Sequence, residues 1–242
     1  MYKKTIFLIV FSISTLLAGL KVPVSDLVFK DRLWFYKESN VPFTGVAFAI
    51  SKESGSIIQQ ANYIDGLAWG KYYEWWSNGS KKVDGTYRFG LMYGRWKFFY
   101  ENGKILCAGS YMNGKGHRST QFIDTIPDEG ISGLWTYWDR NGRKVEEGYY
   151  NKNGTEKGNW SFWDRDGKKR LGKKIDYDTF KNVGAFKHLD GVFLVTGPID
   201  GLNMVYTQAH GAIRAGRLDG PWTYWDNNGL ISAKRYYDKG VP

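Results

Sequence analysis

One spacing constrains this chain more than any other property: glycines and aromatic residues recur together every 24 or 25 residues. Gly70, Gly79, Tyr87 and Gly90 return 24 residues later as Gly94, Gly103, Tyr111 and Gly114. Further copies begin at Gly133, Gly158 and Gly220, each with a second glycine nine residues on, at Gly142, Gly167 and Gly229. A fixed period of this length is the mark of a repeat architecture, in which each unit buries its apolar face only by stacking on the next.

The unit reads Gly-x-aromatic-x-aromatic-aromatic-x-x-Asn/Asp-Gly, then a short run ending in Tyr and a Gly turn. Gly133-Leu134-Trp135-Thr136-Tyr137-Trp138-Asp139-Arg140-Asn141-Gly142 shows it cleanly. Asn-Gly or Asp-Gly between two β-like runs is the strongest short hairpin signal, because both residues accept positive φ. Gly79, Gly103, Gly142, Gly167 and Gly229 are therefore the expected turn glycines. Alternate residues of a strand share a face. Trp135 with Tyr137, Trp160 with Phe162, and Trp222 with Tyr224 should line the shared core. Trp138, Trp163 and Trp225, with Trp76, fall to the other face and are the candidate partner-binding residues. The expected fold is all-β: an elongated array of antiparallel hairpins after an N-terminal signal helix.

Composition agrees: aromatics make up 17% of the 242 residues and glycine contributes 30. Such residues suit pleated half-buried surfaces and frequent turns. The first twenty residues stand apart. Lys3 and Lys4 precede the apolar run Ile6–Leu17 and the small pair Ala18-Gly19, the pattern of an export signal or N-terminal anchor. Leu17-Ala18-Gly19 is like the start of a lipoprotein cleavage box, but Leu20 stands where that box requires cysteine. The expected location is thus periplasmic, cell-surface or secreted, without lipid attachment. Residues 21–242 are read as one repeat domain, interrupted near 115–129 and 172–216.

These units resemble the bacterial variant of the MORN repeat, on the Gly-x-Trp-x-x-Trp-x-x-Asn-Gly strand and turn and the Tyr-x-x-Gly closure. The resemblance covers roughly residues 27–171 and 218–240. Members are often labelled as antitoxin components of toxin–antitoxin systems, which implies protein binding. MORN proteins of eukaryotes are associated with membrane and protein tethering.

No catalytic constellation accompanies the repeats. His117, His188 and His210 lie outside metal-type or triad-type spacings. Cys107, the single cysteine, sits in an apolar strand-like run and reads as a buried thiol. Asp164-Arg165-Asp166-Gly167 is like the start of a calcium loop but lacks the downstream glutamate, so turn chemistry accounts for it. Glu146 and Glu147, being adjacent on a strand, should face opposite ways. The net charge of +10 is scattered and accompanies no nucleic-acid-binding motif. The expectation is therefore a non-enzymatic chain with no cofactor and no nucleic-acid partner. It should bind an unidentified protein or, alternatively, envelope glycan or an anionic membrane surface through aromatic and basic side chains.

Overall fold

The computed structural model describes residues 19–37, 39–115, 123–181, 187–198, 205–226 and 230–242. Residues 1–18 of the expected signal segment and the turn glycine Gly229 fall outside these residues, as does His117. The chain divides into two compact units. Unit 1 takes the described residues through Ile123 together with Pro127–Ile131, and unit 2 takes Asp124–Ile126 together with Ser132–Pro242.

The fold is nearly all β, built from consecutive antiparallel hairpins. Unit 1 holds β1 (Lys21–Pro23), β2 (Leu27–Lys30), β3 (Leu33–Tyr36), β4 (Gly45–Ile50), β5 (Ile57–Ile64), β6 (Leu67–Trp75), β7 (Lys81–Arg88), β8 (Leu91–Phe99) and β9 (Ile105–Gly114). Its main sheet runs β1-β4-β5-β6-β7-β8-β9, with β2 and β3 forming a separate hairpin. Unit 2 holds β10 (Ile131–Trp138), β11 (Lys144–Tyr150), β12 (Glu156–Trp163), β13 (Lys169–Asp176), the short helix α1 (Tyr177–Lys181), β14 (Gly191–Pro198), β15 (Val205–Arg214), β16 (Arg217–Trp225) and β17 (Ile231–Tyr237). These strands pair in chain order. Two pairings depart from hairpin form, because β1–β4 and β13–β14 are parallel. A parallel pair cannot be closed by a tight turn, and α1 lies in the β13–β14 connection. The region 172–216, read from the sequence as an interruption of the repeat, thus holds the strand–helix–strand connection from β13 to β14 and then β15, and helix is not confined to the N-terminus.

Two kinds of turn alternate. At Gly79, the amide donates to the Trp76 carbonyl and the Trp76 amide donates to the Ser80 carbonyl. The same pair of bonds recurs around Gly103, Gly142, Gly154 and Gly167. Gly79, Gly103, Gly142 and Gly167 have φ of 83°, 80°, 83° and 76°. The asparagine or aspartate before each is absent from the positive-φ residues. The Asn/Asp-Gly loops are therefore three-residue loops with a type I turn and one left-handed glycine, not the two-residue mirror-image turns expected. Those two-residue turns close the other ends, at Asp65-Gly66, Phe89-Gly90 and Ala215-Gly216, where both residues have positive φ.

The core explains the repeat. The aromatic residue two positions after each first glycine is fully enclosed: Trp96, Trp135 and Trp160 are 0% exposed and Trp222 is 1% exposed. Tyr87 stands edge-on between Tyr72 and Trp96, and Tyr150 stands edge-on between Trp135 and Trp160. Tyr87 meets Tyr72 at 5.2 Å and 83° and Trp96 at 5.2 Å and 89°; Tyr150 meets Trp135 at 6.4 Å and 90° and Trp160 at 5.0 Å and 78°. Edge-to-face geometry sets the positive ring edge against the negative face. The indoles lie flat on strand glycines of the preceding strand. A Cβ added at Gly85, Gly148 or Gly211 would come within 2.2 Å of the ring of Trp96, Trp160 or Trp222.

Candidate functional site

Opposite the aromatic row, each unit carries a second, outer face. In unit 2 the hairpin-end pairs are Trp138 with Lys144 and Trp163 with Lys169. The Trp163 ring lies between two ammonium groups, Lys144 at 5.0 Å and Lys169 at 5.2 Å. Lys144 also bridges to Glu147 at 2.8 Å, and Glu147 accepts from the Thr136 hydroxyl at 3.0 Å. The lysine hydrogen bond, followed by the Thr136 bond, outweighs partial burial and holds the Glu147 carboxyl below the usual range. An ammonium over an indole face is attracted by the negative face of the ring. Trp138 and Trp163 are half-buried, so part of each ring reaches solvent.

Two of the four aromatic candidates are placed otherwise. Trp225 is 5% exposed and packs against Phe162 at 5.1 Å, with Leu194 in the same cluster and Arg170 over its ring. The crossover through α1 brings β14 back into the unit, and Leu194 closes over a position that solvent reaches in the other copies. Trp76 is one residue out of register: the position matching Trp138 is Trp75. Trp76 opens the turn, donates its Nε1–H to the Phe99 carbonyl at 3.2 Å and carries Lys82 over its ring. It therefore ties the β6–β7 loop to β8.

Both units bury charge within the aromatic face. In unit 1, Glu74 occupies the position held by Phe98, Tyr137, Phe162 and Tyr224 in the other copies. It is fully buried and accepts from the Tyr72 hydroxyl at 2.5 Å and from the Ile123 amide at 2.7 Å, with Lys82 3.4 Å away. Gln59 donates to the Tyr72 oxygen at 2.8 Å. Burial pushes the Glu74 carboxyl up, against the lowering effect of these donors and of Lys82. In unit 2, Glu146 meets Lys174 at 3.3 Å, and the Lys174 ammonium lies 4.3 Å over the Trp160 ring. Burial alone would lower the Lys174 pKa, but Glu146 offsets it and holds the ammonium above its usual range. Glu146 and Glu147 face opposite ways, as strand alternation requires.

The Glu74 network fixes a pH dependence. A carboxyl whose folded pKa is raised stabilises the fold fully below its unfolded pKa, about 4.3, and that contribution is lost as pH rises through the folded value. The urea midpoint of unit 1 should fall across that window. Glu74→Gln should flatten the dependence, and an unaltered slope in that variant would contradict the assignment.

Sequence reading missed Glu74, Lys174 and the seat glycines Gly85, Gly148 and Gly211. The signals were present: a glutamate at an aromatic repeat position, and a Gly-x-Tyr pattern at Gly85-Thr86-Tyr87, Gly109-Ser110-Tyr111 and Gly148-Tyr149-Tyr150. Glycine inside a strand marks close approach of another group. Cys107 is buried, and burial pushes its thiol well above the usual range, as befits an inert thiol. His210 is half-buried with a ring nitrogen 3.3 Å from the Leu171 carbonyl oxygen, and burial lowers its pKa. Among the described residues no group of three His, Cys, Asp or Glu side chains is arranged to hold a metal ion.

Residues 92–113, which hold most of β8, its turn and most of β9, match the family model described as MORN repeat variant. The match covers a single hairpin of the array. Within that match lie the left-handed glycine Gly94, the enclosed Trp96, the turn glycine Gly103 and the edge-on Tyr111, so the MORN unit here is the hairpin described above. No curated protein matches the chain. Among solved structures, the chain is similar to one described as "Crystal structure of GtfA/B complex bound to UDP and GlcNAc", at 10% identity and a TM-score of 0.21. That match covers 70% of this chain and 38% of the other, so the chain spans well under half of its length.

Proposed function

We propose that this chain is an exported, non-catalytic repeat protein that binds another protein through its outer faces. The observation carrying the reading is the division of labour between the two sides of the hairpins. The row Trp96, Trp135, Trp160 and Trp222 is spent on internal packing, while Trp138 and Trp163 keep part of their rings in solvent beside Lys144 and Lys169. Tryptophan on a rigid surface is among the residue types enriched in binding hot spots. MORN repeats are compatible with protein or membrane interaction, and an antitoxin-like role is one form of such protein binding.

The bracketing of Trp163 by Lys144 and Lys169 also favours a second reading, in which that row takes envelope glycan or an anionic surface by ring contact and charge. Site-specific photocrosslinking separates the two. A benzoylphenylalanine placed at position 163 should give a protein adduct in envelope preparations, and the same group at exposed Lys157 in β12 serves as a neighbouring reporter. Adducts with polysaccharide or lipid alone from both positions would replace the first reading by the second.

A further inference from the structure

The tip of the β7–β8 hairpin is costly for the fold in a way that packing does not repay. Phe89 is the first residue of a two-residue turn and has φ of 52°. The left-handed region disfavours bulky side chains and suits Asn, Asp or Gly, the residues preferred in such turns. The equivalent positions hold Asp31, Asp65 and Ala215. A strained aromatic residue would be expected to recover its cost by burial, yet Phe89 is 59% exposed.

The ring is nevertheless held in place. Trp69 meets it edge-on at 4.6 Å and 79°, and the Arg88 guanidinium lies 5.6 Å from its centre. The same guanidinium lies 5.2 Å over Tyr93, itself an exposed aromatic residue. Lys71 on β6 and Arg95 on β8 are further exposed cations on these strands. Among the described residues, Lys71, Arg88 and Arg95 form no ion pair. The segment from Gly85 to Tyr100 contains no Asp or Glu.

We infer that this tip, centred on Phe89 and Arg88, is a docking site for an acidic protein segment, which seats apolar side chains against Phe89, Trp69 and Tyr93 and carboxylates on the three cations. Backbone strain persists where function requires a residue to be held in a set orientation. A fixed ring favours a shaped partner, since its ordering cost is already met before binding; a fluid bilayer gains little from it. A planar guanidinium stacked on a ring presents its N–H fork for two-point contact with a carboxylate. A second copy of this chain would bring like charge to the tip, because the chain is strongly basic at +10.

The inference rests on the protein-binding reading, and its test is chosen to fail separately. The full chain is titrated with labelled peptides of about 15 residues in which Asp or Glu alternates with Leu, Ile or Phe, long enough to cross several strands. Matched Asn/Gln peptides, phosphatidylglycerol–phosphatidylcholine vesicles and sedimentation of the chain alone complete the set. Acidic peptides should bind, more weakly as salt screens the contact. Phe89→Asn and Arg88→Gln should each lower affinity at least about tenfold, the scale of a hot-spot contact. Phe89→Asn should not lower the melting midpoint, because asparagine suits the turn. Equal binding of the neutral peptides, retained affinity in Phe89→Asn, or a lowered midpoint in that variant would overturn the inference. So would binding to vesicles without binding to peptides, or loss of self-association as the only effect of Phe89→Asn. Protein adducts from position 163 alongside any of these results would leave the broader reading standing.

Discussion

Trp160→Ala is expected to destabilise unit 2 by about 3–5 kcal/mol, the range for truncating a large enclosed aromatic side chain. Trp160 is fully buried, Tyr150 stands on it edge-to-face at 5.0 Å, and Lys174 lies over its ring at 4.3 Å. Removing the indole opens a cavity lined by groups that rely on it from three directions. The facing position should fail from the opposite cause. Gly148→Ala puts a methyl group 2.2 Å from the same ring, and overpacking of this kind costs about 1–3 kcal/mol or more. Gly133→Ala is the contrast: its added methyl meets nothing within 4 Å, so any cost arises from its φ of 70° rather than from collision. Chemical denaturation of the three variants measures all of this. Near-equal midpoints for Trp160→Ala and the unchanged chain would mean that the aromatic row does not hold the unit together.

The second large effect belongs to the buried ion pair. Lys174→Ala should cost about 3–5 kcal/mol, because Glu146 would lose the cation that compensates its charge inside the unit. The two side chains are 8% and 5% exposed, so solvent cannot take over that task. Replacing both together, Lys174→Met with Glu146→Leu, should restore most of the loss, since a well-packed apolar pair often equals a buried ion pair. A double-mutant cycle reads the coupling directly. Additive losses in the cycle would show that the two side chains act independently.

The periodicity made the fold legible. Period-2 alternation placed Trp135 and Tyr137 on one side and Trp138 on the other, and the recurring turn glycines marked where hairpins close. Turn type was not legible, because Asn-Gly serves both the two-residue turn and the three-residue loop. In one such loop the Asp139 side chain braces the backbone, accepting from the Asn141 and Arg143 amides at 2.8 and 2.9 Å, yet Trp76 and Tyr100 hold the same position in loops of the same form. The candidate site was legible in half. Trp138 and Trp163 lie on the outer face as alternation predicts. Trp225 does not stay exposed, because a residue from a non-repeat strand, Leu194, covers it, and no local pattern announces a crossover. Trp76 was a counting matter, since a doubled Trp75-Trp76 hides which of the two is in register. Glu74 and Lys174 escaped because burial of charge depends on partners distant in sequence: Ile123 lies 49 residues from Glu74, and Lys174 lies 28 from Glu146.

In the proposed function, one face of the Trp138 and Trp163 hairpins holds the fold while the other is left for a partner. The measurement that tests this most directly pairs melting midpoint with partner binding for the double variant Trp138→Ala, Trp163→Ala. Exposed or half-exposed contacts of this kind should shift the midpoint by only a few degrees, within about 1–2 kcal/mol, while binding of the protein captured from position 163 should fall at least about tenfold. A loss of stability as large as that of Trp160→Ala, with binding by the remaining folded protein unchanged, would mean that both faces are structural and that no partner uses the outer one.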